Sequence, residues 1–249
     1  LPLAQAVQLR LLTTGRELVR LQQPPPPGKA ALVMANPNYN RPGATPVPTA
    51  RSVSVATGPQ RRSAELGSSQ WTPLPASERE GQQVASLLGT SLISNAAATT
   101  TALQRQPGPR VLHIATHGFF VADQESTPTE PLRVIQEGSP LLRSLRQEDP
   151  QLRSGLVLAG ANQPGLDRTD DGYLTAAEAL NLKLKGTELV VLSACSTGQG
   201  EIRTGEGVYG LQRSLTVAGA RSTLLSLWKV DDAATADFMA RYYRRLKTG

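Results

Sequence analysis

Cys195 is the single cysteine of the chain. It lies near the end of the run ELVVLSACSTG at residues 188–198, and a second apolar run, RVLHIATHGFF at residues 110–120, leads to His117 and Gly118. Short apolar runs bounded by turn residues read as buried strands. Two parallel strands that stop on His-Gly and on Cys-Ser-Thr-Gly would bring a general acid or base and a nucleophile to one sheet edge. A lone cysteine with a sequence-distant histidine is the pattern of a thiol nucleophile. Taken alone, a free cysteine is more often a small buried hydrophobe; the paired strand-end placement turns the reading toward chemistry.

His113, four residues before His117, reads as a buried mid-strand histidine or as a partner orienting the site. Two histidines and one cysteine without paired spacing do not supply a metal-ligand cluster, so neither metal nor cofactor is expected. No G-x-S-x-G elbow occurs in the sequence, which leaves a serine hydrolase poorly supported.

The elements around these residues alternate between strand and helix. Residues 3–22 read as a short strand or helix, followed by a polyproline break at 24–27. Residues 30–36 form the first buried strand. Residues 37–76 and 121–154, rich in turn and polar residues or unpatterned, are expected as long mobile loops. Ser77 and Glu80 have capping-box spacing and open a helix to about residue 88. Further strands are expected at 91–94, 111–116, 155–159, 189–194 and 222–228, and helices at 99–105, 207–217 and 231–247. Thr175 and Glu178 read as a capped helix start. Strands separated by helices predict parallel βαβ units, and near-continuous apolar strands predict a sheet covered on both faces. In such α/β sheets, ligands bind beyond the carboxyl ends of the strands, which is where His117 and Cys195 fall.

Composition bounds the partners. The 249 residues suit one large domain, 39% of them are apolar, and one cysteine excludes an internal disulfide. That cysteine usage fits a reducing compartment. No apolar run is long enough for a transmembrane helix, and no membrane contact is expected. The net charge of +6 is carried by residues 1–110, at +7, against −1 for residues 111–249. The basic residues are scattered through polar stretches without interleaved aromatics, so a solvated surface is expected rather than direct nucleic-acid binding. Because the first residue is Leu1, the chain is expected to be a fragment of a longer protein.

The runs HIATHGFF, DGYLTAAEALNLKL, LVVLSACSTGQGEIRTGEGVYGLQRSLTVAGARSTLLSLWKVDD and FMARYYRRLKTG together resemble a CHAT domain, over roughly residues 5–249. CHAT domains are caspase-like cysteine peptidases, usually found behind tetratricopeptide repeats in bacteria, cyanobacteria especially. The resemblance implies a caspase-type three-layer α/β sandwich, a mostly parallel sheet of about six strands in the order 2-1-3-4-5-6 with helices on both faces, and a single domain over 1–249. It maps the nucleophile onto Cys195 and the dyad histidine onto His117. The oxyanion hole falls on the backbone N–H groups of Gly118 and Cys195, glycine allowing close approach of substrate.

The same resemblance implies a protein substrate bound as an extended strand beside residues 222–228. Glu201, Glu206 and Asp231 are candidate substrate-binding carboxylates, although Asp231 and Asp232 read first as capping residues, and Trp228 reads equally as groove or core. Ser193 stands where several basic-specific relatives carry aspartate, so the expected P1 residue is basic or mid-sized apolar. Obligatory self-cleavage is not expected. A tetratricopeptide-repeat domain or activator protein is the expected regulator, acting on residues 121–154 and 198–206, and the expected site of action is the bacterial cytoplasm. The reading is therefore a cysteine endopeptidase with a Cys195/His117 dyad; the alternative is a catalytically silent scaffold that keeps the fold.

Overall fold

The structure, a computed structural model, describes residues 15–23, 29–40, 70–120, 150–163, 170–196, 206–226 and 231–248. Helix α1 spans Gly15–Gln22, settling as helix the part of residues 3–22 that is described. Its last carbonyls are met by Arg221, whose guanidinium donates to Leu21 O at 2.7 Å and Gln23 O at 2.9 Å.

The sheet is built on β1 (Leu32–Pro37), β2 (Leu92–Asn95), β3 (Val111–Phe120), β6 (Leu189–Ser196) and β7 (Thr223–Leu225), paired in parallel in the order β2-β1-β3-β6-β7. These strands are the first to fifth parallel strands of the chain, so their order is the 2-1-3-4-5 part of the expected topology. The sheet is mostly parallel, as expected; its antiparallel members are β4 (Ser154–Val157) and β5 (Tyr173–Thr175). β4 runs antiparallel to the end of β3, and β5 antiparallel to β4. The cause is visible in β3, which continues past the end of β1. Asn36, in the left-handed region at φ 48°, turns β1 aside where asparagine tolerates that conformation better than most residues. The edge of β3 thus released is taken by β4.

Helices cover both faces. Leu112 and Ile114 of β3 and Val190 and Leu192 of β6 join Leu211 and Leu215 of α5 (Glu206–Ala218) in one core. Val111 and Val191 face the other way, toward Val84 of α2 (Pro75–Leu88) and Met239 and Tyr243 of α6 (Asp232–Thr248). This is the period-two alternation of a strand buried on both sides. Gly81 lets α2 approach the sheet closely: a Cβ there would lie 2.6 Å from Ala35 Cβ and 2.8 Å from Leu92 Cδ1.

Two helix starts separate good from poor local reading. Thr175 and Glu178 form the full capping box of the short helix α4 (Ala176–Ala179); α3 spans Thr100–Gln104, capped by Thr99. Ser77 and Glu80 do not form one. Pro75 begins α2 two residues earlier, Ser77 Oγ donates backward to Leu74 O, and Glu80 is buried within the helix. Of the two expected long loops, residues 41–69 and 121–149 lie outside the described residues. Residues 70–76 and 150–154 are built into the fold, with Trp71 buried and Pro150–Leu152 forming a short 3₁₀ turn before β4.

Candidate active site

Strand register brings the two chemistry-bearing residues together. β3 and β6 pair in parallel from Val111–Leu189 to Gly118–Ser196, and within that ladder His117 is the direct partner of Cys195. His117 falls on the α2/α6 face by alternation, as Val111 does. The two residues therefore stand side by side at the carboxyl ends of adjacent strands.

His117 is 2% exposed. Its ring lies between Tyr39 and Trp71, with ring centroids 5.2 and 5.4 Å away. Nε2 donates a 2.7 Å hydrogen bond to the backbone carbonyl of Thr72. A carbonyl only accepts, so Nε2 carries the ring proton, and in the neutral imidazole the lone pair is on Nδ1. Burial holds the imidazole pKa below its ordinary 6.5, against the opposing pull of the Thr72 carbonyl and of Asp232. The resting ring is thus a neutral base of defined tautomer. The Thr72 carbonyl is the orienting group that sequence reading missed. Every residue carries a carbonyl, so no side-chain pattern could mark it; the signal available was Trp71, a lone aromatic in a polar stretch.

Asp232, at the start of α6, accepts a 2.9 Å hydrogen bond from Ala76 N in the first turn of α2. Burial raises its carboxyl pKa, the Ala76 bond lowers it, the neighbouring carboxylates Glu80 and Asp231 raise it, and His117 lowers it. It joins two helices beside the histidine rather than capping its own.

A buried polar cluster lies on the same face, around Ser193 of β6 and His113 of β3, further in along the strands. Glu80 of α2, 1% exposed, accepts a 3.0 Å hydrogen bond from Ser193 Oγ. Glu80 Oε1 also lies 3.1 Å from His113 Nε2, but off the hydrogen-bond direction, so the two atoms are in contact without an aligned bond. His113, fully buried, meets Tyr243 Oη through Nδ1 at 3.2 Å. His113 is thus a buried, partnered histidine, and Glu80 supplies a carboxylate behind Ser193 that sequence reading assigned to a helix cap.

Gly118 lies in extended backbone. A Cβ there would meet Phe120, Ala194 and Gly155 O only at 3.5–3.7 Å, ordinary contact distances. The packing of the fold therefore does not demand glycine at this position. Ser226 Oγ donates to Ala194 O at 2.8 Å, tying the end of β7 to β6 immediately before Cys195.

Of the four expected substrate-binding residues, Glu206 and Asp231 fall among the described residues. Asp231 is exposed and accepts a 2.9 Å hydrogen bond from Ala234 N, a capping contact for α6. Glu206 is the first residue of α5. Glu201 and Trp228 lie outside the described residues, as does the stretch 198–205. Among the described residues no cluster of three or more His, Cys, Asp or Glu could hold a metal ion, and no helix is long and apolar enough to cross a membrane.

An open, mostly parallel sheet between two helical layers, with histidine and cysteine paired at neighbouring strand ends, defines a caspase-like α/β architecture. The CHAT domain family model matches residues 2–249, and the chain belongs to the CHAT domain family. It is also similar to tetratricopeptide repeat protein 28 of Mus musculus, 28% identical over 204 residues covering 79% of this chain, and to its Homo sapiens counterpart, 27% identical over 241 residues covering 85%. The chain spans only 8% and 9% of the length of those relatives. As in the expected association, both relatives are tetratricopeptide repeat proteins.

Proposed function

We propose that this domain is a cysteine endopeptidase in which Cys195 is the nucleophile and His117 the acid–base residue. The observation that carries the reading is their direct pairing at the ends of β3 and β6. It is supported by the buried, neutral and tautomerically fixed imidazole.

In the proposed reaction the Cys195 thiol gives its proton to His117, and the thiolate sulfur attacks the scissile carbonyl carbon. The oxyanion that forms is met by the backbone N–H groups of Gly118 and Cys195. Collapse of the tetrahedral intermediate breaks the C–N bond, and His117 returns its proton to the leaving amine. Water then hydrolyses the thioester, releasing the acid and restoring the thiol. The substrate binds as an extended strand. Among the described residues β7 pairs with β6 alone, which leaves the strand-addition edge the reading requires.

Glu201, Glu206, Asp231 and Trp228 remain the proposed substrate-binding residues, with a basic or mid-sized apolar P1. The proposed regulator is a tetratricopeptide-repeat domain or activator protein, in keeping with the kind of protein the relatives are, acting in the cytoplasm. Membrane and direct nucleic-acid roles form no part of the proposal.

The test is digestion of a proteome-derived peptide library by the protein and by its Cys195→Ala variant, with cleavage sites read by mass spectrometry. Cuts made only by the unsubstituted protein are expected, and they give the P1 residue directly. Equal cutting by the variant would overturn the assignment.

A further inference from the structure

We propose that Asn162 is a positioning residue for His117: its side chain clamps the backbone of Trp71 and thereby holds the next carbonyl, that of Thr72, against the imidazole. The proposal rests on the Cys195/His117 reading for its catalytic consequence, but its structural content stands apart from it.

The clamp is formed by one side chain reaching across the fold. Asn162 Oδ1 accepts from Trp71 N at 2.7 Å, and Asn162 Nδ2 donates to Trp71 O at 2.9 Å. These two bonds take both polar groups of the Trp71 backbone. The second Nδ2 hydrogen is directed to Asn40 Oδ1 at 2.9 Å, and Asn162 N donates to Tyr39 O at 3.0 Å. Asn162 therefore ties the segment after β4 to the segment after β1 and to residues 70–73 at once. Trp71 is pinned at its other end, where Nε1 donates to Tyr173 Oη at 2.9 Å.

The chemistry of the clamp selects asparagine. A planar amide offers one acceptor and two donors on a single group. Aspartate keeps the acceptor and loses both donors, placing a carboxylate oxygen against the Trp71 carbonyl. Leucine has neither. Thr72 itself is exposed, so side-chain packing of Thr72 does not fix its carbonyl; the backbone on its N-terminal side does. When that backbone is released, Nε2 of His117 loses its acceptor and the tautomer that puts the lone pair on Nδ1 is no longer enforced.

The test uses the full chain with 15N-labelled histidine. The chain has two histidines, and His117→Gln assigns their ring signals. In the unsubstituted protein His117 is expected as a single tautomer protonated at Nε2. In Asn162→Asp and Asn162→Leu the signals are expected to move toward a tautomer mixture, while circular dichroism stays native. Peptide cleavage is expected to lose about tenfold or more in kcat with KM little changed, as displaced catalytic geometry does. An unchanged tautomer in a folded variant overturns the proposal, and so does unchanged kcat beside a shifted tautomer. If Asn162→Leu does not fold, the near-isosteric Asn162→Asp decides. Should the protein show no peptidase activity, the ring spectrum still decides for or against the clamp, so failure of the peptidase reading and failure of the clamp are seen separately.

Discussion

His117 and Cys195 are directly opposed residues of two parallel strands, β3 and β6, at the point where both strands reach the mouth of the sheet. The pairing is set by backbone register, which the cores on both faces hold in place: a slip of one residue would send Ile114 and Leu192 to the α2/α6 face and His113 into the apolar core under α5. The geometry that makes the site is thus inseparable from the geometry that makes the fold.

Burial of His117 carries a pH signature in stability. Its folded pKa lies below the unfolded value of 6.5 because desolvation disfavours the imidazolium. Between the two values the unfolded chain binds more protons, so stability rises with pH across that window and is full above about 6.5. Acidifying from neutrality should therefore lower Tm beginning near pH 6.5, and His117→Gln should flatten that part of the profile. Thermal unfolding of both proteins between pH 5 and pH 8, a window that brackets ordinary histidine titration, measures the difference.

Tyr243 gives His113 a polar partner inside the protein. Tyr243→Phe removes the hydroxyl that meets His113 Nδ1 and leaves a fully buried ring nitrogen without it. The expected cost is about 1–3 kcal/mol, read as a lower urea midpoint with the slope of the transition unchanged. A variant as stable as the parent would show that the contact contributes nothing net.

Much of this arrangement was legible in the sequence. The apolar runs ending on His117 and Cys195 are strands, the Thr175–Glu178 spacing is a real capping box, and α6 carries Asp232 in its first turn and Arg245 and Lys247 in its last. These signals are local, and local pattern reads them. The same S-x-x-E spacing at Ser77 misled, because Pro75 starts α2 earlier and burial claims Glu80 for Ser193. The antiparallel β4 and β5 were hidden by alternation with helices, since a short apolar run has no direction of its own. The segment carrying Thr72 read as loop because its contribution is a backbone carbonyl, next to a Trp71 backbone bonded by an asparagine distant in sequence.

Substitution of Gly118 is expected to separate the proposed catalysis from stability. A Cβ at this position meets only ordinary contact distances, and its backbone is outside the left-handed region. Gly118→Ala should therefore fold normally, neutral or stabilised by up to about 1 kcal/mol through the unfolded state. If the Gly118 N–H lies against the substrate carbonyl, the added methyl disturbs that approach, and kcat/KM should fall by as much as about 100-fold. Parallel measurement of Tm and kcat/KM on one preparation tests this; loss of both together would point to packing instead.

The most direct test of the dyad is a double-mutant cycle on peptide cleavage, comparing Cys195→Ala, His117→Ala and the double variant with the unsubstituted protein. Residues acting as one unit lose activity non-additively. Each single substitution is therefore expected to reduce kcat by about 10³-fold or more, with the double variant no worse than the poorer single one. Losses that multiply, or cleavage that survives in either single variant, would contradict a shared Cys195/His117 site.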